Sequence, residues 1–313
     1  MAKEEQMTYL SANGTTKIHA VKWMPEDGKY KAILQITHGM IEYIERYHEF
    51  AEYLTERGFM VVGHDHLGHG ASVKDETEWG YFAENPSDTL VADMHSLRTT
   101  VQGENPGIPY FMMGHSMGSF IARNYLCRYG SGIGGAVIVG TGMQPAGLIF
   151  ASKAMAGIQK LFCGSKHVSH FIDKAAFGGY NKRIDSPRTS SDWLSRNTEN
   201  VDRYIEDELC GFTFTVNGFQ TLFELIRRLQ KQENLEKVPQ NLPILMVSGA
   251  EDPVGDYGKG VHKACDSLKR AGVKNITVKL YENDRHELLN EDDAEVAMED
   301  IWQWICKEIP GIA

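Results

Sequence analysis

The sequence predicts an α/β fold in which helices cover both faces of a mostly parallel central sheet, with a helical insertion. Short apolar runs such as Tyr110–Met113 and Gly135–Val139 suit strands that are buried on both faces. Segments with helical spacing of apolar residues alternate with these runs, which is typical of a parallel sheet. The alternation stops after Gly142 and resumes at Leu242, so a separate helical segment is expected between them.

A hairpin is predicted at the start of the chain, because Asn13-Gly14 is a preferred turn between two strand-like runs, 9–11 and 17–23. Six further strands are predicted at 31–36, 59–63, 110–113, 135–139, 242–248 and 275–280. Five helices are predicted between and after them, at 43–57, 87–101, 119–126, 257–270 and 292–307, with Ser87 as the N-cap of the second.

These elements divide the chain into a core, residues 1–144 and 241–313, and an insertion, residues 145–240. The insertion carries 13 Lys and Arg against 11 Asp and Glu, whereas the rest of the chain carries 19 against 31. It also holds eight phenylalanines, at 150, 162, 171, 177, 212, 214, 219 and 223. We expect most of these rings to form the insertion's own core and a minority to line a pocket for an apolar substrate.

The chemistry is organised around Gly114-His115-Ser116-Met117-Gly118, which has the pattern G-x-S-x-G. A predicted strand precedes this motif and a predicted helix follows it, which is the context of a nucleophile elbow. The glycines allow the tight turn, and the turn exposes the Ser116 hydroxyl. The Met117 N–H lies at the helix N-terminus, where it can bind an oxyanion.

A serine nucleophile needs a base and an acid that orients the base. Asp252 and His286 each follow a predicted strand, and the order Ser116, Asp252, His286 is that of an α/β-hydrolase triad. His286 is predicted to act as general base and then general acid, with Asp252 fixing its tautomer. Asp256 and Asp284 are the competing candidates for the acid.

The second oxyanion donor is expected in the loop after the strand at 31–36. Met40 is the candidate, and Gly39 permits the close approach of the backbone. Glu42 and Arg46 follow on one face of the next helix and can hydrogen-bond hydroxyl groups of a substrate. His115, beside the nucleophile, is the third predicted substrate-binding residue.

The chain resembles the monoacylglycerol lipase and lysophospholipase branch of the serine α/β-hydrolases. The resemblance rests on His38-Gly39-Met40-x-Glu42, on the loop Gly63–Ser72, on the elbow motif, and on Asp252 and His286. It implies an α/β-hydrolase fold, a lid at 145–240 and oxyanion donors at Met40 and Met117. It also implies that Glu42 and Arg46 lie near the glycerol of a monoacylglycerol, and that the substrate is a small ester or lipid.

The spacing His64-x-His66-x-x-His69 offers three candidate ligands for a metal site. Gly68 occupies the position where a metallo-hydrolase would need an acid, so no metal and no cofactor are expected. The alternative is a structural role, in which a hydrogen-bonded loop supports the floor of the active site.

Composition limits the partners. A net charge of −10 disfavours a nucleic-acid binder, and five widely spaced cysteines favour free thiols in a reducing compartment. We expect a cytoplasmic protein without a signal peptide or membrane span, whose lid makes transient contact with a membrane surface. The oligomeric state is left open.

Two other functions compete with a serine carboxylesterase that acts on monoacylglycerols, lysophospholipids or a broad range of small esters. A peptidase of the proline-aminopeptidase type shares the fold and would need an acidic cluster in the lid, for which Glu206-Asp207-Glu208 is the candidate. A binding protein with an inactive site is the other alternative, and the complete set of Ser116, Asp252 and His286 argues against it.

Overall fold

The computed structural model describes residues 2–84 and 86–309, and one eight-stranded sheet forms the centre of this part of the chain. Residues 1, 85 and 310–313 of the predicted core lie outside the described residues. The strands are β1 Lys3–Leu10, β2 Lys17–Met24, β3 Ala32–Thr37, β4 Phe59–His64, β5 Tyr110–His115, β6 Gly135–Val139, β7 Ile244–Gly249 and β8 Ile276–Tyr281.

The sheet order is β1-β2-β4-β3-β5-β6-β7-β8. β2 runs antiparallel to β1 and β4, whereas the other six strands, β3 to β8, run parallel to one another. The predicted fold class is confirmed. β4 lies on one side of β3 in the sheet and β5 lies on the other, so the chain changes direction across the sheet after β4. In sheets of this kind ligands bind at this switch point, outside the carboxyl ends of the strands. At that position β3 leads to Met40 and β5 leads to Ser116.

Helices cover both faces of the sheet. The core helices are α1 His48–Thr55, α2 Pro86–Glu104, α3 Met117–Tyr129, α9 Lys259–Arg270 and α10 Ala294–Glu308. Side chains of α2, α3 and α9 pack on one face of the strands, and those of α1 and α10 pack on the other. Successive strand residues alternate between the two faces, as Met112 and Met113 do, and both faces are covered, so the five strands β3 to β7 are buried along their whole length.

Only helical elements and turns are assigned between β6 and β7, apart from one isolated bridge between Val168 and Thr215. The helices of this segment, which we call the insert, are α4 Ala146–Cys163, α5 His170–Phe177, α6 Thr198–Glu206, α7 Val216–Leu229 and α8 Gln232–Leu235. α7 buries Phe219, Phe223 and Ile226 and packs against α4, α2 and α3. None of the helices among the described residues is long and apolar enough to cross a membrane.

None of the five core helices starts at the residue expected from the sequence, and the differences range from one to five residues. The helix expected at 43–57 begins with a 3₁₀ turn, Ile44–Tyr47, whose first N–H, that of Ile44, donates to Asp65 Oδ1 at 2.8 Å. The helix expected from Ser87 already includes Pro86, so Ser87 lies within its first turn and is not its N-cap. Proline is favoured at the first position of a helix, where its missing N–H costs nothing.

Candidate active site

Ser116 occupies a strained turn between β5 and α3. Its φ is 53° and its ψ is −120°, a backbone conformation that residues other than glycine rarely adopt. A Cβ at Gly118 would collide with the carbonyl oxygens of Thr37 and His38, and a Cβ at Gly114 would collide with the Gly118 carbonyl. Close packing therefore requires both glycines of the motif. The turn places Ser116 at the carboxyl end of β5, at the switch point of the sheet.

His286 and Asp252 form a buried hydrogen-bonded pair at the same edge of the sheet. His286 Nδ1 lies 2.9 Å from Asp252 Oδ2, and both residues are almost fully buried. Asp252 is held in turn by the Ser248 hydroxyl and by the Val254 N–H, at 3.2 and 2.8 Å. Because Nδ1 donates to the carboxylate, the Nε2 of His286 is left as a proton acceptor.

The competing carboxylates are placed differently. Asp256 is exposed and lies 3.9 Å from the ammonium of Lys263. Burial, together with the neighbouring Asp293 and Glu291, raises the pKa of Asp284 to about 7. Among the described residues, Asp252 is the carboxylate that contacts the His286 ring.

Ser116 and His286 line one cavity of about 790 Å³. The core contributes Met40, Glu42, His115, Met117 and Phe120 to its wall. The insert contributes mainly apolar side chains, among them Leu148, Ile149, Met155, Trp193, Leu222 and Ile226. Three of the eight insert phenylalanines, at 177, 212 and 223, line the cavity, whereas Phe214 and Phe219 are buried and Phe150, Phe162 and Phe171 are exposed.

The residues of the two predicted oxyanion donors line the same cavity as Ser116. Met117 is the first residue of α3, and Met40 lies in the turn after β3. The amides that flank Met40 are both bound by side chains, since Gly39 N–H donates to Glu42 Oε1 at 2.5 Å and Ile41 N–H donates to His69 Nε2 at 3.2 Å. These two bonds fix the orientation of the peptide that carries the Met40 N–H.

The three predicted substrate-binding residues form part of one buried polar network. Glu42 and His115 line the cavity, but Arg46 is not among the described residues that do so. Arg46 instead donates to Glu42 and to both carboxylate oxygens of Glu287, each at 2.9 Å. His115 Nδ1 lies 3.2 Å from Glu42 Oε1, and its Nε2 lies 3.1 Å from the carbonyl oxygen of His286.

The charges of this network shift its pKa values. Burial opposes the ionised form of Glu42, but the hydrogen bond to His115 and the charges of His115 and Arg46 outweigh it and lower the pKa of Glu42. Burial likewise opposes the ionised form of Glu287, and the Arg46 guanidinium lowers its pKa. Burial lowers the pKa of His115, but the hydrogen bond and charge of Glu42 reverse the effect and raise it. The glutamates are therefore held ionised.

Sequence reasoning missed four residues of this region: Trp193, Asn200, Tyr204 and Glu287. The Trp193 ring lies 5.1 Å from the His286 ring, and Asn200 Nδ2 donates to Glu287 Oε2 at 2.7 Å. Glu287 was detectable as an acidic neighbour of the predicted base. The insert residues gave no signal, because their role depends on how the insert packs on the core.

The clustered histidines support the loop beneath Met40. His38, His64, His66 and His69 are fully buried, and burial lowers the pKa of each ring. The His66 N–H donates to His38 Nε2 at 3.0 Å, and His69 accepts from Ile41. Over residues 2–84 and 86–309, no group of three or more His, Cys, Asp or Glu side chains is arranged to hold a metal ion.

Comparison with known proteins adds independent evidence. Over 271 residues, 86% of this chain and 79% of the relative, the sequence is 29% identical to the monoglyceride lipase of Rattus norvegicus. It is 25% identical over 303 residues to the monoacylglycerol lipase of Mycolicibacterium smegmatis, covering 96% of this chain and 97% of the relative.

A similar solved structure is a highly thermostable carboxyl esterase from Bacillus coagulans in complex with glycerol. The two sequences are 31% identical, and the match covers 98% of this chain and 99% of the esterase chain. The two structures superpose with a TM-score of 0.91. Residues 28–293 match the model of the serine aminopeptidase S33 family. With its parallel sheet, its elbow and a family match over most of its length, the chain belongs to the serine aminopeptidase S33 family of the α/β-hydrolase superfamily.

Proposed function

We propose that the protein hydrolyses monoacylglycerol-type esters through an acyl-enzyme on Ser116, with His286 as the base and Asp252 as the orienting acid. The observation that carries the proposal is the buried His286–Asp252 hydrogen bond of 2.9 Å beside a cavity that Ser116 also lines. The relatives named monoglyceride and monoacylglycerol lipase support this substrate class.

The mechanism follows from these positions. His286 Nε2 takes the proton of the Ser116 hydroxyl as Ser116 Oγ attacks the ester carbonyl carbon. The N–H groups of Met40 and Met117 bind the oxyanion of the tetrahedral intermediate. When the intermediate collapses, His286 returns the proton to the leaving alcohol. Water then attacks the acyl-enzyme with His286 again as base, and the carboxylic acid is released with Ser116 restored.

The cavity supports a preference for one acyl chain. We propose that residues 145–240 act as a lid, since α4 and α7 supply much of the apolar wall above Ser116. A cavity of about 790 Å³ lies within the range of sites that enclose a small ligand. Glu42 and His115 are proposed to form the polar wall beside the leaving alcohol.

The insert also supports contact with a lipid surface, which we propose as the route of substrate delivery. Phe150, Leu161 and Phe162 are 77%, 84% and 84% exposed, and Phe171 on α5 is 65% exposed. Lys160 directly precedes Leu161 on α4 and adds positive charge to this part of an acidic protein. Exposed apolar side chains with flanking lysines are typical of surfaces that bind anionic membranes. The five free cysteines fit a cytoplasmic location, which we also propose.

The peptidase alternative has less support. None of Glu206, Asp207 and Glu208 is among the described residues that line the cavity, and Asp207 accepts a hydrogen bond from the Tyr43 hydroxyl at 2.8 Å. The similarity to a carboxyl esterase keeps a broad small-ester carboxylesterase as the second candidate.

A substrate comparison tests the proposal. The kcat/KM of the wild-type protein is measured for a monoacylglycerol, a p-nitrophenyl ester and an aminoacyl amide. We expect the monoacylglycerol to be cleaved and the amide to be left intact. Faster cleavage of the amide would favour the peptidase, and a preference for the short activated ester over any monoacylglycerol would favour the carboxylesterase.

A further inference from the structure

We propose that Arg46 and Glu287 form a clamp that positions the oxyanion loop against the catalytic histidine, and that Arg46 does not bind substrate. The inference rests on the proposed function, because it assigns roles around Ser116, Met40 and His286. The reaction itself does not use the charges of this pair.

The geometry of the pair is bidentate and buried. Arg46 Nη1 and Nη2 donate to Glu287 Oε1 and Oε2, each at 2.9 Å. The side chains of Arg46 and Glu287 are only 10% and 3% exposed. A planar guanidinium that meets a carboxylate through two parallel bonds fixes angle as well as distance, and a lysine cannot reproduce this arrangement.

Each end of the clamp is connected to a reactive group. Glu287 directly follows His286, and its N–H donates to the Leu194 carbonyl at 2.7 Å. At the other end, Arg46 donates to Glu42 Oε2, and Glu42 Oε1 accepts from the Gly39 N–H beside Met40. One guanidinium therefore joins the loop that presents an oxyanion donor to the loop that presents the base.

The surroundings of Arg46 leave it no access to a substrate. Its guanidinium lies over the Tyr204 ring, 5.1 Å from the centroid, and Nη2 also contacts Asn200 Oδ1 at 3.4 Å. The Glu42 carboxylate accepts three of its four hydrogen bonds on Oε1, from Gly39, Tyr47 and His115, and one on Oε2, from Arg46. The guanidinium of Arg46 is thus occupied by protein groups, whereas Glu42 Oε2 keeps one acceptor position.

The charge balance explains why the clamp is effective. Two ionised carboxylates face one guanidinium in a buried setting, and the Arg46 charge lowers the pKa of Glu287. Removing Arg46 leaves Glu287 without its main counter-charge and leaves Glu42 with His115 alone, so the two loops are expected to separate. A small displacement of catalytic groups costs up to about 100-fold in rate.

The test uses the full chain and five variants: Arg46→Met, Arg46→Lys, Glu287→Gln, the double variant Arg46→Met/Glu287→Gln, and the control Arg203→Met. Arg203 is a 65% exposed arginine of α6 whose nearest carboxylate is 3.9 Å away. The kcat and KM are measured for a monoacylglycerol and for the ethyl ester of the same acid, and Tm is measured for every variant.

We expect Arg46→Met to lower kcat about 10- to 100-fold on both substrates, with KM changed by about twofold or less. Glu287→Gln should have a similar effect, Arg46→Lys a smaller one, and Arg203→Met none. In the double variant no buried charge of the pair remains unpaired, so Tm should recover towards the wild-type value while kcat stays low.

Three results would overturn the clamp. A loss confined to the monoacylglycerol and expressed in KM would assign Arg46 to the head group. Recovery of kcat together with Tm in the double variant would reduce the pair to a structural role. Wild-type kcat in Arg46→Met would exclude any role, and if this variant does not fold, Arg46→Lys and the double variant carry the test. Failure of the proposed function is distinct, because the wild-type protein would then cleave neither ester.

Discussion

At the scale of single residues, Ser116, His286 and Asp252 account for the proposed chemistry. We expect Ser116→Ala and His286→Ala to fold normally and to lose on the order of 10⁶-fold in kcat, because the groups act as one unit. Asp252→Asn should lose about 10⁴-fold, since it favours the wrong tautomer of the His286 ring. Asp256→Asn and Asp284→Asn are the matched controls, and a larger loss in either of them would mean that the acid is misassigned.

Asp284 gives a separate prediction for stability. Burial and the nearby Asp293 and Glu291 raise its pKa from an ordinary value of 3.8 to about 7, so the folded state binds this proton more tightly than the unfolded state. The resulting stabilisation is complete below pH 4 and is lost as the pH rises to about 7. Asp284→Asn removes the buried charge and should raise Tm by about 1–3 °C at pH 8, and by less at pH 5.

Thermal unfolding at the two pH values checks this prediction, with the exposed Asp256→Asn as the control. A Tm gain in Asp284→Asn that is larger at pH 5 than at pH 8 would contradict the proposed titration. An equal gain at both values would mean that the substitution acts through packing rather than through charge.

At the scale of elements, sequence reasoning succeeded where local pattern and tertiary structure agree. β6 has the predicted bounds, 135–139, because a short apolar strand between helices has few alternatives. Local pattern did not show that the helix expected at 43–57 begins with a 3₁₀ turn, or that the carboxylate of Asp65, distant in sequence, binds the Ile44 N–H. The Glu287 partner of Arg46 was equally hidden, since it is 241 residues away and approaches only through the sheet order.

α4 offers a test of the proposed lipid contact. Leu161→Ser/Phe162→Ser removes two side chains that are each 84% exposed, so the fold should not change. If this face enters a lipid surface, the wild-type protein buries these two apolar side chains in the lipid. Their loss should then reduce partitioning onto anionic vesicles about tenfold or more. Hydrolysis of a soluble short-chain ester should be unaffected.

Vesicle sedimentation measures this partitioning, and Leu10→Ser is the matched control. Leu10 is 60% exposed at the end of β1, on the core rather than the insert. Equal vesicle binding by the wild-type protein and the double variant would exclude the α4 face as the contact surface.

At the scale of the whole molecule, the proposed reaction needs no metal. The rings of His66 and His69 are hydrogen-bonded to backbone groups, the buried His64 ring has no hydrogen-bond partner among the described residues, and the proposed base acts on a serine hydroxyl. Incubation with a chelator followed by dialysis should therefore leave kcat unchanged. Loss of activity that zinc restores would show that these rings do hold a metal.

The cavity sets the last prediction, a preference for monoacyl over diacyl substrates. Side chains of α4, α7 and the core bound about 790 Å³ beside Ser116, and this space is lined mainly by apolar side chains. We expect one acyl chain to occupy this space while its ester carbonyl meets the proposed oxyanion donors. The second chain of a diacylglycerol would have to remain outside, and each methylene left in water forfeits about 0.8 kcal/mol of binding free energy.

We therefore expect kcat/KM for a diacylglycerol to be at least tenfold lower than for the monoacylglycerol of the same acid, when both are presented in the same detergent micelles. Ser116→Ala measures the background. Leu222→Ala and Ile226→Ala, which shorten side chains of the cavity wall on α7, should reduce this difference by widening the space. Equal rates for the two lipids in the wild-type protein would mean that the cavity opens to the surface during catalysis and does not select for a single chain.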